Sequence, residues 1–240
     1  ESPNCGAEIP LIRSFWLCKK VNRKRALKPK VMTPTSGPPY VEFDIFEPKD
    51  DKEVHGSTVT RAKAICLCCG SVLSPDRVRS QLTEQHGGAD AFFDFNGNRI
   101  GGARLLSVVT TNLDFRGRNY RTPTASDYGA IWKAEKSLKQ IIDKWRSDTS
   151  HENCPVPDEP LPYRQGHRSI QSPRVYGMET WRDYYNVRQN LSLEFLCRTI
   201  AQNNRKRGKH AIAELSGLLL SKFAELSTAN CRWEPVAECP

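Results

Sequence analysis

Residues 66–70 read Cys66-Leu67-Cys68-Cys69-Gly70, and they decide the fold of the first half of the chain. Two thiols three residues apart and then a glycine form a knuckle. The glycine allows the tight turn that points backbone amides at the thiolates. Zinc takes four donors in a tetrahedron, usually from two such knuckles. Cys5-Gly6 supplies part of a second one, with Ser2 three residues before Cys5. A serine hydroxyl is a poor zinc ligand at neutral pH. The candidate metal ligands are therefore Cys5, Cys66 and Cys69. The fourth position is open to Cys68, Cys18, His55, a water or nothing. The competing reading is a ribbon that has lost its metal and keeps its thiols buried. In either case Cys5 is expected within a few ångström of the 66–69 turn, because zinc–sulfur bonds are about 2.3 Å long.

The nine cysteines are odd in number, which argues against an evenly paired secreted scaffold and for a reducing, cytoplasmic setting. The 240 residues allow one or two domains. The hydrophobic share of 38% falls below the usual 45–50% or so, so much loop surrounds a modest core. No apolar run reaches the roughly 18–20 residues of a membrane helix; the longest, around Leu218–Leu220, is short. The opening Glu1-Ser2-Pro3-Asn4 is no signal peptide and lacks an initiator Met, so it reads as an internal cut of a longer protein.

The net charge of +9 favours an anionic partner, nucleic acid first. Lys19, Lys20, Arg23, Lys24, Arg25, Lys28 and Lys30 form a run without an acid. Such a run neutralises phosphates and grips DNA without reading bases. Phe15 and Trp16 beside it suit base stacking or a core. Arg205 to His210 is a weaker basic patch.

Elsewhere the pattern is α+β. Residues 1–122 read as a β-rich, degenerate zinc-ribbon-like segment. Val41, Phe43 and Ile45 alternate with acids, which predicts a half-buried strand. Val54 to Ile65 predicts a weaker strand, and Leu105 to Thr111 with Tyr120 predicts a hairpin turning at 116–118. His86 to Gly102 reads as a surface loop anchored by Phe92, Phe93 and Phe95. Thr124 to Asp127 fits a capping box, and Ile131, Ala134, Leu138, Ile141, Ile142 and Trp145 recur at helical spacing within a segment at 123–150. Residues 151–182, with prolines at 155, 157, 160, 162 and 173, read as an extended linker or strap. In 183–240, helices near 187–203 and 211–227 should pair antiparallel across a short basic turn. Leu191, Phe195, Leu215, Leu219 and Phe223 are the expected seam.

No complete catalytic constellation is present. Gly37-Pro38-Pro39-Tyr40 and Asp158-Glu159-Pro160-Leu161-Pro162-Tyr163 approach the Asp-Pro-Pro-Tyr motif of amine methyltransferases. The first lacks an acceptor side chain and the second has separated prolines. Phe95-Asn96-Gly97-Asn98-Arg99 approaches a glycine-rich cofactor loop, with Arg99 in place of the second glycine. All three read better as turns, so no catalytic and no cofactor-binding residue is assigned.

Six stretches carry a family likeness: 2–20 (SPNCGAEIPLIRSFWLCKK), 65–70 (ICLCCG), 104–109 (RLLSVV), 156–163 (VPDEPLPY), 176–189 (YGMETWRDYYNVRQ) and 229–235 (ANCRWEP). Their order resembles the central region of the large bacterial and archaeal adenine-specific DNA methylases that contain a zinc ribbon. That family often sits in phage-defence gene sets. The resemblance implies a parent enzyme that moves a methyl group from S-adenosylmethionine to the exocyclic amine of adenine in DNA. It implies a cofactor loop upstream of this segment and the Asp-Pro-Pro-Tyr motif downstream of Arg232-Trp233-Glu234-Pro235. The chain would lie between the catalytic halves, where target recognition is commonly held. Its C-terminal helices would pack on the remainder of the methyltransferase chain. The ribbon positions Cys5, Cys66 and Cys69 carry over, and Ser2 departs from the pattern. A free-standing nucleic-acid-binding module on a degenerate ribbon is the alternative.

Overall fold

A computed structural model describes residues 1–111, 117–148, 153–162, 173–207, 210–229 and 233–239, without the side chains of 204–207. The class is α+β, with small antiparallel sheets followed by long helices. The chain divides into two units. Residues 1–84, 104–124 and 233–239 form the first; 85–103 and 125–232 form the second.

The first unit is built on the sheet β1 (Trp16–Lys20), β2 (Arg23–Met32) and β3 (Tyr40–Phe46). The β2–β3 register places Leu27 opposite Ile45, Pro29 opposite Phe43 and Val31 opposite Val41. Lys28 then lies opposite Asp44, and Lys30 opposite Glu42. Side chains alternate across a pleat, so one face is apolar and the other pairs cations with acids. Leu27, Val41 and Phe43 join Ile12, Phe15 and Leu17 in the core, and Cys68, Leu106 and Tyr120 pack against it.

A second sheet holds the knuckle. Strands β4 (Val59–Thr60), β5 (Lys63–Ile65) and β6 (Val72–Leu73) pair in that order, and residues 66–71 form the β5–β6 turn. The single strand expected from Val54 to Ile65 is instead a hairpin. It turns at Arg61 and Ala62, both at positive φ, without the glycine or asparagine that would signal such a turn. Helix α1 (Pro75–Thr83) packs Val78 against Ala64 and Leu73, with Ile9 and Leu82 alongside. Its start has a local cause: Ser74 accepts a hydrogen bond from the Arg77 amide, and Pro75 opens the helix. This helix interrupts the stretch read as mostly strand and loop.

In the second unit, β7 (Ala91–Phe93) and β8 (Arg99–Gly102) form a hairpin where a loop was expected. Phe92 is 40% exposed and Phe95 is 91% exposed, so neither anchors it; Ala91 is the buried member. The hairpin's tip is a turn in which Asp94 Oδ1 accepts from the Asn96 and Asn98 amides. In the first unit, β9 (Val108–Thr111) and β10 (Arg118–Arg121) form the other expected hairpin. Residues 112–116 between the two strands lie outside the described residues.

Helix α2 (Ala125–Ser147) buries Ala134, Leu138 and Ile142, one side of the predicted amphipathic pattern. The proline-rich stretch is a strap and not a free linker. Leu161 N–H donates to Glu179 O, and Trp181 N–H donates to Glu159 O. Val156 and Leu161 are buried, while 163–172 lie outside the described residues. Helix α3 (Val187–Arg207) begins with a reciprocal cap. Asn186 Oδ1 accepts from the Gln189 amide, and Gln189 Oε1 accepts from the Asn186 amide. Helix α4 (His210–Leu226) packs against α3. The expected seam is not what joins them. Leu191 belongs to the cluster of Leu138, Ile142, Val156 and Val187. Phe195, Leu215, Leu219 and Phe223 are all exposed. Ala213, Gly217 and Leu220 line one α3–α4 cleft and Phe223 and Leu226 another, while Ile212, Leu215, Leu218 and Leu219 are exposed.

Asp90 gives the second unit a testable pH dependence. Its Oδ1 accepts the Val187 N–H at 2.7 Å. Burial raises its carboxyl above the usual range, against the lowering effects of that bond and of Arg182. The folded form therefore binds more protons than the unfolded form. Stability tied to this group falls as pH rises from the ordinary carboxylate value through the raised one. Asp90→Asn keeps the acceptor and buries no charge, so it should leave the second unit at least as stable as wild type at pH 7. A lower melting temperature for the variant at pH 7 would contradict this.

Candidate metal centre and basic hairpin

Cys5 and Cys66 are 61 residues apart in sequence, yet their Sγ atoms lie 3.7 Å apart. With Cys69 they form a group whose sulfurs all lie within 4.8 Å of one another. The edge of a tetrahedron with zinc–sulfur bonds of about 2.3 Å is about 3.8 Å. The three thiols are thus placed to hold a metal ion, and the soft donor set suits zinc.

The 66–71 turn explains how. Cys66 N–H donates to Ser71 O at 2.9 Å, and Gly70 N–H returns to Cys66 O at 2.9 Å. Gly70 has φ +73°, a conformation other residues adopt only with strain. Hydrogen bonds from the Ser2 and Ser71 side chains hold the Cys69 thiol down, to about 6, so it is largely thiolate at neutral pH. Burial pushes Cys68 up to about 11, and it packs against the core instead. The other fourth-ligand candidates also point elsewhere. Cys18 is fully buried and donates to Arg23 O at 3.2 Å. The His55 ring packs on Phe15 with centroids 4.9 Å apart.

The basic run forms strands β1 and β2, and here the structure corrects the expectation of an open cationic face. Lys19 pairs with Asp51 at 2.6 Å and Arg25 with Glu47 at 2.7 Å. Lys30 pairs with Asp44, and Lys20 and Arg23 both pair with Glu238. Among the described residues Lys24 reaches the Lys49 carbonyl, at 3.2 Å, and Lys28 lies 5.9 Å from the Phe46 ring centroid. The run contains no acid in sequence because its acids lie on the neighbouring strand and in distant segments. Phe15, 1% exposed, is core and not a stacking platform; Trp16 carries Lys19 over its ring. The Arg205–Arg207 side chains lie outside the described residues.

Sequence reasoning missed Glu238. Its carboxylate is only 3% exposed and receives Lys20, Arg23 and the Tyr120 hydroxyl, the last at 2.8 Å. Burial alone would raise its pKa, but these partners and Cys18 hold it down to about 2. Nearby, Trp233 Nε1 donates to Leu17 O at 2.8 Å and Lys19 N–H to Pro235 O at 3.0 Å, so residues 233–239 are bound to the β1 strand. No local pattern around Glu238 signals this role.

Two of the three near-miss motifs are turns; the third is not, since residues 158–162 are extended strap and Tyr163 lies outside the described residues. Gly37 sits at φ +92° just before β3. Pro160 bridges to Thr180, and 94–98 is the hairpin tip. No helix among the described residues is long and apolar enough to cross a membrane. Compared with known proteins, the chain matches no family model, no curated protein and no solved structure.

Proposed function

We propose that this chain is the zinc-bearing, non-catalytic central segment of an adenine-specific DNA methyltransferase, and that its first unit contacts DNA. The observation that carries the reading is the convergence of Cys5 on the Cys66–Cys69 turn. Zinc held by Cys5, Cys66 and Cys69 would tie the N-terminal turn to the β5–β6 turn. Its chemistry would be that of a structural cross-link. In this reading, methyl transfer from S-adenosylmethionine belongs to other parts of the parent enzyme. The outward apolar face of α4, with Leu215, Leu218 and Leu219 each more than 60% exposed, would receive the remainder of that chain. The free-standing nucleic-acid-binding module remains the second reading. It is favoured by the closure of the first unit, in which the knuckle packs on the sheet core and the 233–239 segment bonds to β1.

DNA contact falls to the cations that have no acidic partner among the described residues of the first unit. In the basic run these are Lys24 and Lys28; Arg61 and Lys63 on the β4–β5 hairpin are also exposed. Each phosphate contact on duplex DNA contributes a slope of about −0.9 in log affinity against log salt. Lys24→Ala with Lys28→Ala should therefore flatten the slope by about 1.8 and weaken all sequences alike. Fluorescence anisotropy over a salt series checks this. An unchanged slope and affinity would remove the hairpin from the DNA interface. Calorimetry with S-adenosylmethionine should detect no binding to the 240-residue chain; micromolar affinity would overturn the non-catalytic reading.

A further inference from the structure

The two metal-facing turns repeat one hydrogen-bond pattern. In the 66–71 turn, Cys66 N–H donates to Ser71 O and Gly70 N–H to Cys66 O. In the N-terminal turn, Ser2 N–H donates to Ala7 O at 2.8 Å and Gly6 N–H to Ser2 O at 3.0 Å. The closing glycines share a left-handed conformation, Gly6 at φ +70° and Gly70 at +73°. Position by position, Ser2 stands to Cys5 as Cys66 stands to Cys69.

The side-chain geometry agrees with the backbone. Ser2 is 3% exposed, so its hydroxyl is turned inward although it lies next to the first residue. Its Oγ is 3.3 Å from Cys69 Sγ and 2.9 Å from Ser71 Oγ. An oxygen and a sulfur on one tetrahedral zinc would be about 3.6 Å apart, with bonds of about 2.1 and 2.3 Å.

We infer that Ser2 occupies the fourth ligand corner of the metal site, which is therefore built as three thiolates and one oxygen. The inference rests on the metal reading above and extends it. With one thiolate fewer, such a site holds a soft metal less tightly and exchanges it faster than a four-cysteine site. Fold and register do not change between the two, because the turn that presents the fourth side chain is intact.

The test compares wild type with Ser2→Cys in the 240-residue chain, kept under a non-coordinating phosphine reductant. Zinc affinity is measured by competition with a chromophoric chelator, and cobalt(II) reports the number of bound sulfurs. Ser2→Cys should tighten zinc on the order of 100-fold, since a thiolate replaces a poor oxygen donor. The near-ultraviolet sulfur-to-cobalt absorption should rise by about one third, from three bonds to four. Zinc affinity and cobalt spectrum both unchanged by Ser2→Cys would overturn the assignment. If wild type takes up neither metal and Ser2→Cys takes up both, the corner assignment stands and the zinc reading of the natural site fails. Circular dichroism of both metal-free proteins controls for misfolding.

Discussion

Glu238→Ala is expected to destabilise the first unit by about 3 kcal/mol. Breaking a buried ion pair by removing one partner costs about 3–5 kcal/mol when the remaining charge is stranded. Here the cost falls at the low end, because Lys20 is 45% and Arg23 is 28% exposed and both can hydrate. Arg23→Ala should cost less, since Glu238 would keep Lys20 and the Tyr120 hydroxyl. The same carboxylate fixes a pH dependence. Its folded pKa of about 2 lies below the usual glutamate value of about 4.3. The unfolded state therefore binds more protons in that window. The stabilisation is complete above the unfolded value and is lost as pH falls through the folded one. Amide exchange of β1 and β2 between pH 7 and pH 3 is the measurement. Equal protection in Glu238→Ala and wild type at pH 7 would show that the 233–239 segment adds nothing to the unit.

Phe15→Ala should have the largest effect in the first unit, about 3–5 kcal/mol, the usual cost of deleting a buried aromatic ring. Phe15 is 1% exposed, and its ring contacts Phe43 and His55 at centroid distances of 6.3 and 4.9 Å. Its neighbours Ile12, Leu17, Leu27, Val41 and Phe43 would line the vacated space. The substitution should also loosen the knuckle, since Cys68 and Leu67 pack on the same cluster. Urea unfolding and zinc affinity, measured on the same preparation, test both statements. A loss below about 1 kcal/mol, of the order of one methylene, would mean that the core lies elsewhere.

What was legible in the sequence was local or strongly typed. The alternation at Val41, Phe43 and Ile45 and the helical spacing from Ile131 to Trp145 each marked an element the structure contains. A thiol pair followed by glycine is specific enough to place Cys5 across 61 residues. The failures were non-local or lacked a local signal. Lys30 looks free until β3 brings Asp44 within reach of it. The turn at Arg61 and Ala62 uses residues that seldom adopt positive φ. Helix α1 was missed although Ser74-Pro75-Asp76 carries a start signal, because nine residues give too little periodicity to notice. For α4 the apolar spacing and an exposed apolar surface were read correctly, and only the seam named for it was wrong, since Leu215 and Leu219 are exposed. Periodicity shows that a helix has an apolar face, and it does not show what that face meets.

The seating of residues 233–239 on the β1 strand gives the first unit a timetable. Glu238 and Lys20 are 218 residues apart in sequence. At the ribosomal pace of roughly 5–20 residues per second, the partner emerges about 10–45 s after the hairpin that waits for it. During that interval, Lys20 and Arg23 lack their buried counter-charge. The second unit has time to form before the first can close. Until residues 233–239 arrive, the edge of β1 whose Lys19 N–H will donate to Pro235 O stays open to other strands.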